Sequence, residues 1–430
     1  MIRHRWRVSE DPSRHRPRPQ AAWRERAVTC VVMLGLAIGT MPSAQSQTFT
    51  VLYSFAGYPT DGATPIAGLV MDVAGNLYGT TTYGGNANCP GSGIGCGTVF
   101  ELDAKGVETV LHNFTGPDGA HSSANLVMDA NGDLYGTTEF GGKGCPGNDA
   151  TGCGVVFKLS GKKETVLHRF TGGQDGAEPL GGLIMDASGA LYGTTELGGN
   201  TNCNPDGCGV EFKLLGKKET VLHSFKGPDG AFPTAALLMD SKGILYGTTR
   251  YGGDFNCNCG VVFKLVGKKA SVLHAFKGTP DGDVPAAALF MDTKGNLYGT
   301  TADGGNSYNL GTIFEVSRNG KEHVLYRFGP PLGHAGFSPQ TRVIRDAAGN
   351  LYGTTLEGGK AGAGIVFEVS KDGKEKVLHN FCSASGCADG AFPAGDLIMD
   401  TKGNLYGTAY GGGVNANGTV FMIALQSQSD

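Results

Sequence analysis

Tryptophan, basic charge and long apolar runs are all scarce in this 430-residue chain, and each shortage argues against a class of function. The two tryptophans stand at positions 6 and 23, in an N-terminal segment that we predict below to be removed. An aromatic platform for a sugar or a base would therefore have to use tyrosine or phenylalanine. Lysine and arginine number 35 against 39 acidic side chains, which gives no argument for nucleic-acid binding. The apolar run 27–38 is shorter than a membrane-spanning helix requires.

The first 46 residues differ in kind from the rest of the chain. Eight arginines precede the apolar run, and small residues follow it up to Ala44 and Ser46, which is the layout of a secretory signal peptide. We therefore predict a signal peptide over residues 1–46, cleaved after Ala44 or Ser46, and a single domain over residues 47–430. Without the eight arginines and the three acids of this segment, the formal net charge falls from −4 to −9. We expect a soluble monomer that is secreted or periplasmic and has no integral membrane segment after processing.

Cysteine is present, but never in the Cys-x-x-Cys spacing that many zinc sites use. Apart from Cys30 in the predicted signal peptide, the cysteines form five close pairs, and an even number in an exported chain predicts disulfides. The pairs are Cys89/Cys96, Cys145/Cys153, Cys203/Cys208, Cys257/Cys259 and Cys382/Cys387. The bridging of Cys257 and Cys259 stays open, because residues two apart can be joined only with strained geometry. We predict no metal ion and no cofactor.

Glycine is the residue in excess, with 72 copies, and much of it belongs to a repeat. The tetrapeptide Leu-Tyr-Gly-Thr occurs seven times, at spacings of 57, 57, 54, 52, 54 and 54 residues. Internal repeats of this length are typical of propellers, solenoids or arrays. The copies begin at Leu77, Leu134, Leu191, Leu245, Leu297, Leu351 and Leu405.

Each repeat contains four short strands separated by turns, as the third one illustrates. Strand a is predicted over Leu183–Asp186, strand b over Leu191–Thr195, strand c over Gly209–Leu214 and strand d over Glu219–Phe225. Strands a, b and c occur seven times, but the last repeat ends without a strand d. A spare copy of strand d, Thr48–Phe55, precedes the first repeat.

The spare strand indicates how the ring closes. Placed in the last blade, it completes a fourth strand and removes two open sheet edges. The sequence therefore predicts an all-β fold: a seven-bladed β-propeller with four-stranded blades, closed by an N-terminal strand that completes the last blade. Strand alternation puts the b–c and d–a loops on one face, here named the loop face, and the a–b and c–d turns on the opposite turn face. The loop face carries most length variation and all five cysteine pairs, and variable loops on a rigid frame are where recognition usually occurs.

These motifs resemble the GloVer-containing tandem-repeat family of bacterial exported proteins, which is built from Gly-Asn-Leu-Tyr-Gly-Thr-Thr, Gly-Gly, Gly-x-Val-Phe and Val-Leu-His-x-Phe. The first element is matched closely at residues 75–81, 295–301, 349–355 and 403–408, and the resemblance covers about residues 48–425. It implies the repeat fold and export, and it transfers no catalytic residue. Members often carry C-terminal anchors, which the tail 426–430 does not resemble. A looser resemblance to streptogramin-lyase-type propellers also maps no catalytic residue.

Repeated polar positions are interpreted as structural. One position of strand d is histidine in five repeats, but tyrosine at Tyr53 and Tyr326, so we assign it to packing and hydrogen bonding rather than to metal binding or catalysis. The five histidines are His112, His168, His223, His274 and His379. The aspartate of the recurring Asp-Gly in the d–a loops is assigned to turns, because one carboxylate per loop is too few for calcium.

Residues that break the repeat are the better site candidates. Arg342 and Asp396 stand where most other repeats have a small residue, and Arg345 stands where the others have methionine. Two interpretations remain open: an internal bridge between arginine and carboxylate, since buried charge is costly unless paired, or an anionic-ligand pocket at the channel. His121 and His334 on the loop face are weaker candidates.

No set of converging acid and base residues follows from the sequence, so no catalytic residue is predicted. The first hypothesis is an exported binding or interaction module that presents disulfide-stabilised loops to a protein or a cell-surface glycan. The alternative is an extracellular lyase or hydrolase with its site at the loop-face mouth of the central channel.

Overall fold

Four short strands per repeat pair in order, and seven such antiparallel sheets form a seven-bladed β-propeller in the computed structural model. The structure describes residues 47–85, 89, 93–145, 152–254, 256–330 and 335–425. The described residues include no helix with the length and apolar character of a membrane span. The predicted fold class is confirmed.

The strands recur with nearly constant lengths. Strand a comprises Val70–Met71, Val127–Met128, Ile184–Met185, Leu238–Met239, Phe290–Met291, Ile344–Arg345 and Ile398–Met399 in blades one to seven. Strand b comprises Leu77–Thr81, Leu134–Thr138, Leu191–Thr195, Leu245–Thr249, Leu297–Thr301, Leu351–Thr355 and Leu405–Ala409. Strand c comprises Thr98–Leu102, Val155–Ser160, Val210–Leu215, Val261–Val266, Thr312–Val316, Ile365–Val369 and Thr419–Ala424. Strand d comprises Glu108–Asn113, Lys163–Arg169, Lys218–Ser224, Lys269–Ala275, Glu322–Arg327, Glu375–Asn380 and, for blade seven, Thr48–Ser54.

Smaller elements lie in the loops of the loop face. Two additional two-stranded sheets pair Gly62–Ala63 with Tyr83–Gly84 and Gly336–Phe337 with Glu357–Gly358. A single 3₁₀ turn occupies Ser385–Cys387.

The repeated Leu-Tyr fixes the turn that precedes strand b. In blade one, Leu77 is buried in the core, whereas the Tyr78 hydroxyl donates to Asp72 Oδ2 at 3.2 Å. The other carboxylate oxygen of Asp72 accepts the N–H groups of Ala74 and Asn76, both at 2.9 Å. This turn recurs in all seven blades, with the tyrosine bonded to the turn aspartate each time. Strand a of the third blade is two residues shorter than predicted, one at each end. The predicted last residue, Asp186, belongs to the turn instead.

The repeated Gly-Thr joins strand b to its surroundings. A Cβ on Gly79 would lie 2.7 Å from the ring of Phe100 in strand c, so a side chain is excluded there. The Thr80 hydroxyl donates to the carbonyl of Ala124 in the next blade at 3.4 Å. In each motif the leucine is buried in the core and the tyrosine stabilises the turn. The glycine leaves room for the phenylalanine ring of strand c, and the threonine contacts the next blade.

Phenylalanine pairs form the core at every blade junction. One ring comes from strand c and the other follows strand d of the preceding blade, and the two meet edge to face with centroids 5.0–5.3 Å apart. The pair Phe55–Phe100 makes this contact between blades seven and one.

The N-terminal strand closes the ring as predicted. Thr48–Ser54 pairs antiparallel with Thr419–Ala424, the last strand of the chain. The Thr408 hydroxyl also donates across the same junction to the Ala67 carbonyl at 2.7 Å. No blade of the described ring is left with three strands.

Four of the predicted cysteine pairs are joined as disulfides, and the sulfurs of the fifth, Cys257 and Cys259, lie next to each other; all five pairs lie on the loop face. Four pairs lie in b–c loops, and Cys382–Cys387 lies in the d–a loop before blade seven. The disulfides therefore cross-link the face that varies in length.

Candidate binding site on the loop face

Arg342 and Asp396, two of the charged residues predicted from the sequence, meet near the axis of the ring. Asp396 Oδ1 accepts the backbone N–H of Arg342 at 2.8 Å, and the Nε of the same arginine lies 4.0 Å from Oδ2. Asn125 of blade two also donates to Oδ2, at 2.8 Å. It reaches across blade one because Gly68 leaves room: a Cβ there would lie 2.8 Å from the Asp396 carbonyl. These contacts support the internal bridge.

Arg345 does not join them. Its Nη1 lies 3.7 Å from Oδ2 of Asp292, the turn aspartate of blade five, and its guanidinium lies over the ring of Tyr298, 5.4 Å from the centroid. Its Nε donates to the Gly349 carbonyl at 3.4 Å. The side chain lines a cavity of about 170 Å³ between blades five and six, among turn-face residues that include Lys371. The two arginines therefore belong to different faces.

His121 lies on the loop face between two aromatic rings. The ring centroids of Tyr83 and Phe140 are 4.9 and 5.6 Å from that of His121. The Nε2 atom is buried and has no hydrogen-bond partner among the described residues, and burial lowers the pKa of the imidazole. His334 lies outside the described residues.

The five repeated histidines of strand d each face the Asp-Gly aspartate of the following loop. The His Nε2 to Asp oxygen distances are 2.9–3.4 Å. At a tyrosine position, the Tyr53 hydroxyl donates to Asp61 at 2.9 Å in the same way. Because either ring makes this bond, the geometry fits the hydrogen-bonding role assigned from the sequence.

A ring of residues at the mouth of the channel was not singled out from the sequence. Each d–a loop holds a non-glycine residue at φ 55–59° at the same place before strand a. Its N–H donates to a carbonyl in the b–c loop of the preceding blade at 2.8–3.2 Å, and its carbonyl accepts the N–H of the residue after strand b at 2.9–3.2 Å. The first set, named the d–a ring, is Thr64, His121, Glu178, Phe232, Val284, Ser338 and Phe392. The second set, named the b–c ring, is Thr82, Glu139, Glu196, Arg250, Ala302, Leu356 and Tyr410.

The d–a ring keeps its side chains against the preference of its backbone. Left-handed φ favours glycine, and this chain uses glycine at most of its other left-handed positions. Seven of the twelve non-glycine residues with positive φ in the described part of the chain belong to this ring, including the β-branched Thr64 and Val284. Strained backbone conformations of this kind cluster at functional sites. The ring thus combines one backbone conformation, which recurs in every d–a loop, with side chains that differ between most of the loops.

Blades two and three give the mouth an acidic sector, defined as Glu139, Glu178 and Glu196. Burial and the charges of the other two glutamates raise the pKa of Glu139 to about 8. Burial, together with Glu196 and Asp206, raises the pKa of Glu178 to about 7. Burial and Glu139 also raise the pKa of Tyr83, which places the His121 aromatic cluster beside the acids. The sector can accept hydrogen bonds and positive charge next to aromatic rings.

Among the residues of the d–a ring and the b–c ring, all of which the structure describes, Arg250 is the one lysine or arginine. Arg250 in the b–c ring lies over Tyr251, with its guanidinium carbon 5.8 Å from the centroid. The anionic-ligand pocket considered from the sequence would need convergent arginines, whereas carboxylates outnumber them here. The signal that identifies the mouth is the residue three places after the Asp of each Asp-Gly, which differs between most repeats while its neighbours recur.

Solved structures with the same architecture show low sequence identity. The extracellular domain of the hybrid two-component system BT4673 from B. thetaiotaomicron aligns over 87% of this chain and 40% of its own, at 11% identity and a TM-score of 0.52. PorZ, a surface component of the type-IX secretion system of Porphyromonas gingivalis, aligns over 86% and 48%, at 14% identity and a TM-score of 0.50. This chain spans less than half the length of both proteins, and the likeness shows the fold alone.

A gluconolactonase of Xanthomonas campestris aligns over 88% of this chain and 90% of its own, with 13% identity and a TM-score of 0.43. No curated protein matches the chain in sequence. The Gloeobacter/Verrucomicrobia repeat model matches residues 37–203, 146–343 and 331–429, which confirms the predicted resemblance. Since these matches together cover residues 37–429 without a gap, the protein belongs to the Gloeobacter/Verrucomicrobia repeat family.

Proposed function

We propose that the protein is an exported binding module whose ligand is held at the loop-face mouth of the channel. The observation that carries the proposal is the d–a ring, where seven left-handed positions retain side chains that glycine would replace at lower conformational cost. The hydrogen bonds of the scaffold account for the backbone conformation of this ring but not for its side chains. Contact with a ligand would account for the side chains.

The disulfides support the mouth directly. The carbonyl of Cys96 accepts the N–H of His121 at 2.9 Å, and that of Cys153 accepts the N–H of Glu178 at 3.0 Å. The same carbonyl is supplied by a cysteine at the two following junctions. Cross-linking the b–c loops therefore holds the ring residues in place, which lowers the entropy lost when a ligand binds.

The acidic sector indicates the chemistry of the ligand. Burial and neighbouring carboxylates raise the pKa values of Glu139 and Glu178, so a positive charge would stabilise this sector most, and the rings of Tyr83 and Phe140 offer an apolar face beside it. A basic segment of a partner protein and an amino sugar of a cell-surface glycan both carry this combination. Neutral sugars would gain only the hydrogen bonds.

Export is supported by the predicted signal peptide and by the disulfides. Two proteins of the same architecture are an extracellular domain and a bacterial surface component. The localisation that we propose is secreted or periplasmic.

The test is a binding screen of the processed protein against a glycan array that includes amino sugars and against a lysine-rich peptide series. The double variant Glu139→Gln, Glu178→Gln should lose the binding of whichever ligand is found, because it removes two carboxylates without changing their shape. Asp372→Asn, an exposed carboxylate on the turn face, is the matched control and should bind as the native protein does. Equal binding by the native protein and the double variant would contradict the proposed site.

An enzyme with its site at the same mouth is the second candidate. Glu139 carries a carboxyl whose pKa of about 8 suits a general acid at neutral pH, and its neighbours Glu178 and Glu196 are carboxyls that could serve as bases. A lyase or hydrolase of this kind should turn over an oligosaccharide from the screen, with the activity lost in Glu139→Gln alone. Binding without turnover would leave the binding module as the function.

A further inference from the structure

Two cysteine sulfurs and a carboxylate converge on the loop face between blades four and five. One ligand atom each from Cys257, Cys259 and Asp283 lies within 4.8 Å of the others. Cys259 is buried with 1% exposure, whereas Cys257 and Asp283 are partly exposed. The two cysteines come from the b–c loop of blade four, and the aspartate comes from the d–a loop that leads to blade five.

Asp283 is an exception in the repeat, and its position coincides with the exceptional cysteine pair. Most other blades have alanine at this place: Ala63, Ala120, Ala177, Ala231 and Ala391. The other four cysteine pairs are five to eight residues apart, but Cys257 and Cys259 are separated by two. A separation of two suits joint coordination of an ion better than it suits a disulfide.

A second carboxylate stands beside the first. Asp303 faces Asp283 in an isolated antiparallel bridge, with N–H to carbonyl distances of 2.9 and 3.0 Å. In the equivalent bridges, alanine faces Phe140, Leu197, Tyr251 or Gly411.

The sulfur atoms have space beside them. Gly278 of the d–a loop has φ 78°, and a Cβ placed on it would lie 3.7 Å from both sulfurs. The loop therefore passes the thiols without a side chain in between.

We propose that Cys257, Cys259 and Asp283 bind one divalent cation of the zinc class, with Asp303 or water in the fourth position. Thiolates select zinc-like ions over calcium or magnesium, and each thiol releases its proton to solvent when the metal binds. Zinc commonly takes a tetrahedral set of sulfur and oxygen ligands. The sequence argument against zinc rested on the absence of the Cys-x-x-Cys spacing; the fold adds a ligand, Asp283, from the d–a loop that leads to the neighbouring blade. The site shares no side chain with the acidic sector, so it stands apart from the proposed function.

The test uses the full chain, exported and purified without chelators, and then titrated with Co²⁺ as a spectroscopic substitute for Zn²⁺. We expect one ion per chain, a thiolate-to-cobalt charge-transfer band, and protection of Cys257 and Cys259 from alkylation until a chelator is added. Asp283→Ala restores the residue of the other blades, and it should weaken binding by more than about tenfold, since even outer partners of a metal ligand contribute that much. The matched control, Cys203→Ser with Cys208→Ser, should still bind one ion.

Three results would overturn the proposal. A peptide linked between Cys257 and Cys259, with no ion bound, would show that the pair is a plain disulfide. Cobalt bound without a charge-transfer band would place the ion elsewhere. Equal affinity of Asp283→Ala and the native chain would remove the carboxylate from the site.

Discussion

At the scale of single residues, carboxyl groups of this protein divide by the hydrogen bonds that they accept. In a recurring turn, burial raises the pKa of Asp186, but hydrogen bonds from Ser188, Ala190 and Tyr192 outweigh it and lower the pKa to about 2. Glu139 behaves in the opposite way, because burial and two neighbouring glutamates raise its pKa to about 8. The recurring glutamate of strand d does the same, as burial raises the pKa of Glu108 to about 7. The direction of the shift therefore follows the number of hydrogen bonds to the carboxylate.

Glu211 is the clearest example of a buried carboxyl that accepts no hydrogen bond from the described residues. It stands in strand c of blade three where every other blade has valine or isoleucine, is 0% exposed, and has both carboxyl oxygens without a partner among the described residues. Glu211→Val should raise the free energy of unfolding by about 1–3 kcal/mol, because a buried unsatisfied group costs that much. Chemical denaturation of both proteins measures the difference. The reverse change in the next blade, Val262→Glu, should destabilise the protein.

The same residue predicts a pH dependence. Burial, with the charge of Asp229, raises the pKa of Glu211 from 4.5 to about 8. Since the unfolded chain loses this proton first, its contribution to stability falls as the pH rises from 4.5 to 8 and is constant above that range. Glu211→Val should lack this part of the pH profile; identical profiles would contradict the assignment.

Arg345 tests the turn-face bridge. Arg345→Met restores the residue of the other six blades, and its partner Asp292 keeps the bonds of a turn aspartate. We expect the unfolding free energy to change by less than about 0.5 kcal/mol, as is usual for partly exposed positions. Ligand binding at the mouth should not change, because the side chain lies on the opposite face. A loss of binding in this variant would show that the turn face holds the ligand.

The candidate site was only partly predictable at this scale. Arg342 and Asp396 were found because a charge replaces a small residue in a repeat. His121 was found because no other repeat has histidine at this position. Glu139 and Glu178 were missed, since their positions vary in nearly every repeat and so no one residue looks exceptional. Only the shared backbone geometry shows that these variable positions form one ring.

At the scale of strands and blades, local pattern determined most of the fold. Strand b was predicted to the residue, and strands c and d of the third blade start and end one residue from their predicted limits. The pairs of Gly62–Ala63 with Tyr83–Gly84 were missed, because such short strands depend on the neighbouring blade rather than on their own sequence. Counting strand d gave the closure, since a ring needs equal numbers of each strand.

Closure predicts a cost for losing the N-terminal strand. Deleting residues 48–55 removes the fully buried Phe55, its contact with Phe100 and the stacking of Phe49 on His379. The free energy of unfolding should fall by more than about 3 kcal/mol, the lower limit for truncating one buried phenylalanine. The melting temperature of the whole domain should fall with it. Phe114→Ala, at a junction within the chain, gives the matched comparison for a single lost ring. An unchanged melting temperature after the deletion would contradict the role of this strand in closing the ring.

At the scale of the whole molecule, a regular frame holds chemistry that is not regular. Turns and junctions repeat around the ring with the same bonds, whereas the mouth concentrates carboxylates in blades two and three. The mature chain as predicted carries a net charge of −9, so its field and its local site have the same sign. Both favour a cationic partner.

The charge of the mouth predicts how binding depends on pH and salt. A cation stabilises the ionised carboxylates, and the pKa values of Glu178 and Glu139 are about 7 and about 8. The affinity for a lysine-rich peptide or an amino sugar that remains protonated should therefore rise from pH 6 towards pH 8 and level off above it, by at most about tenfold per group and pH unit. Added salt should weaken it, since the site is partly exposed. Calorimetric titration at several pH values measures this, with Glu139→Gln, Glu178→Gln as the variant in which the rise should disappear. An affinity that falls as the pH rises would show that the mouth binds an anion or a neutral ligand instead.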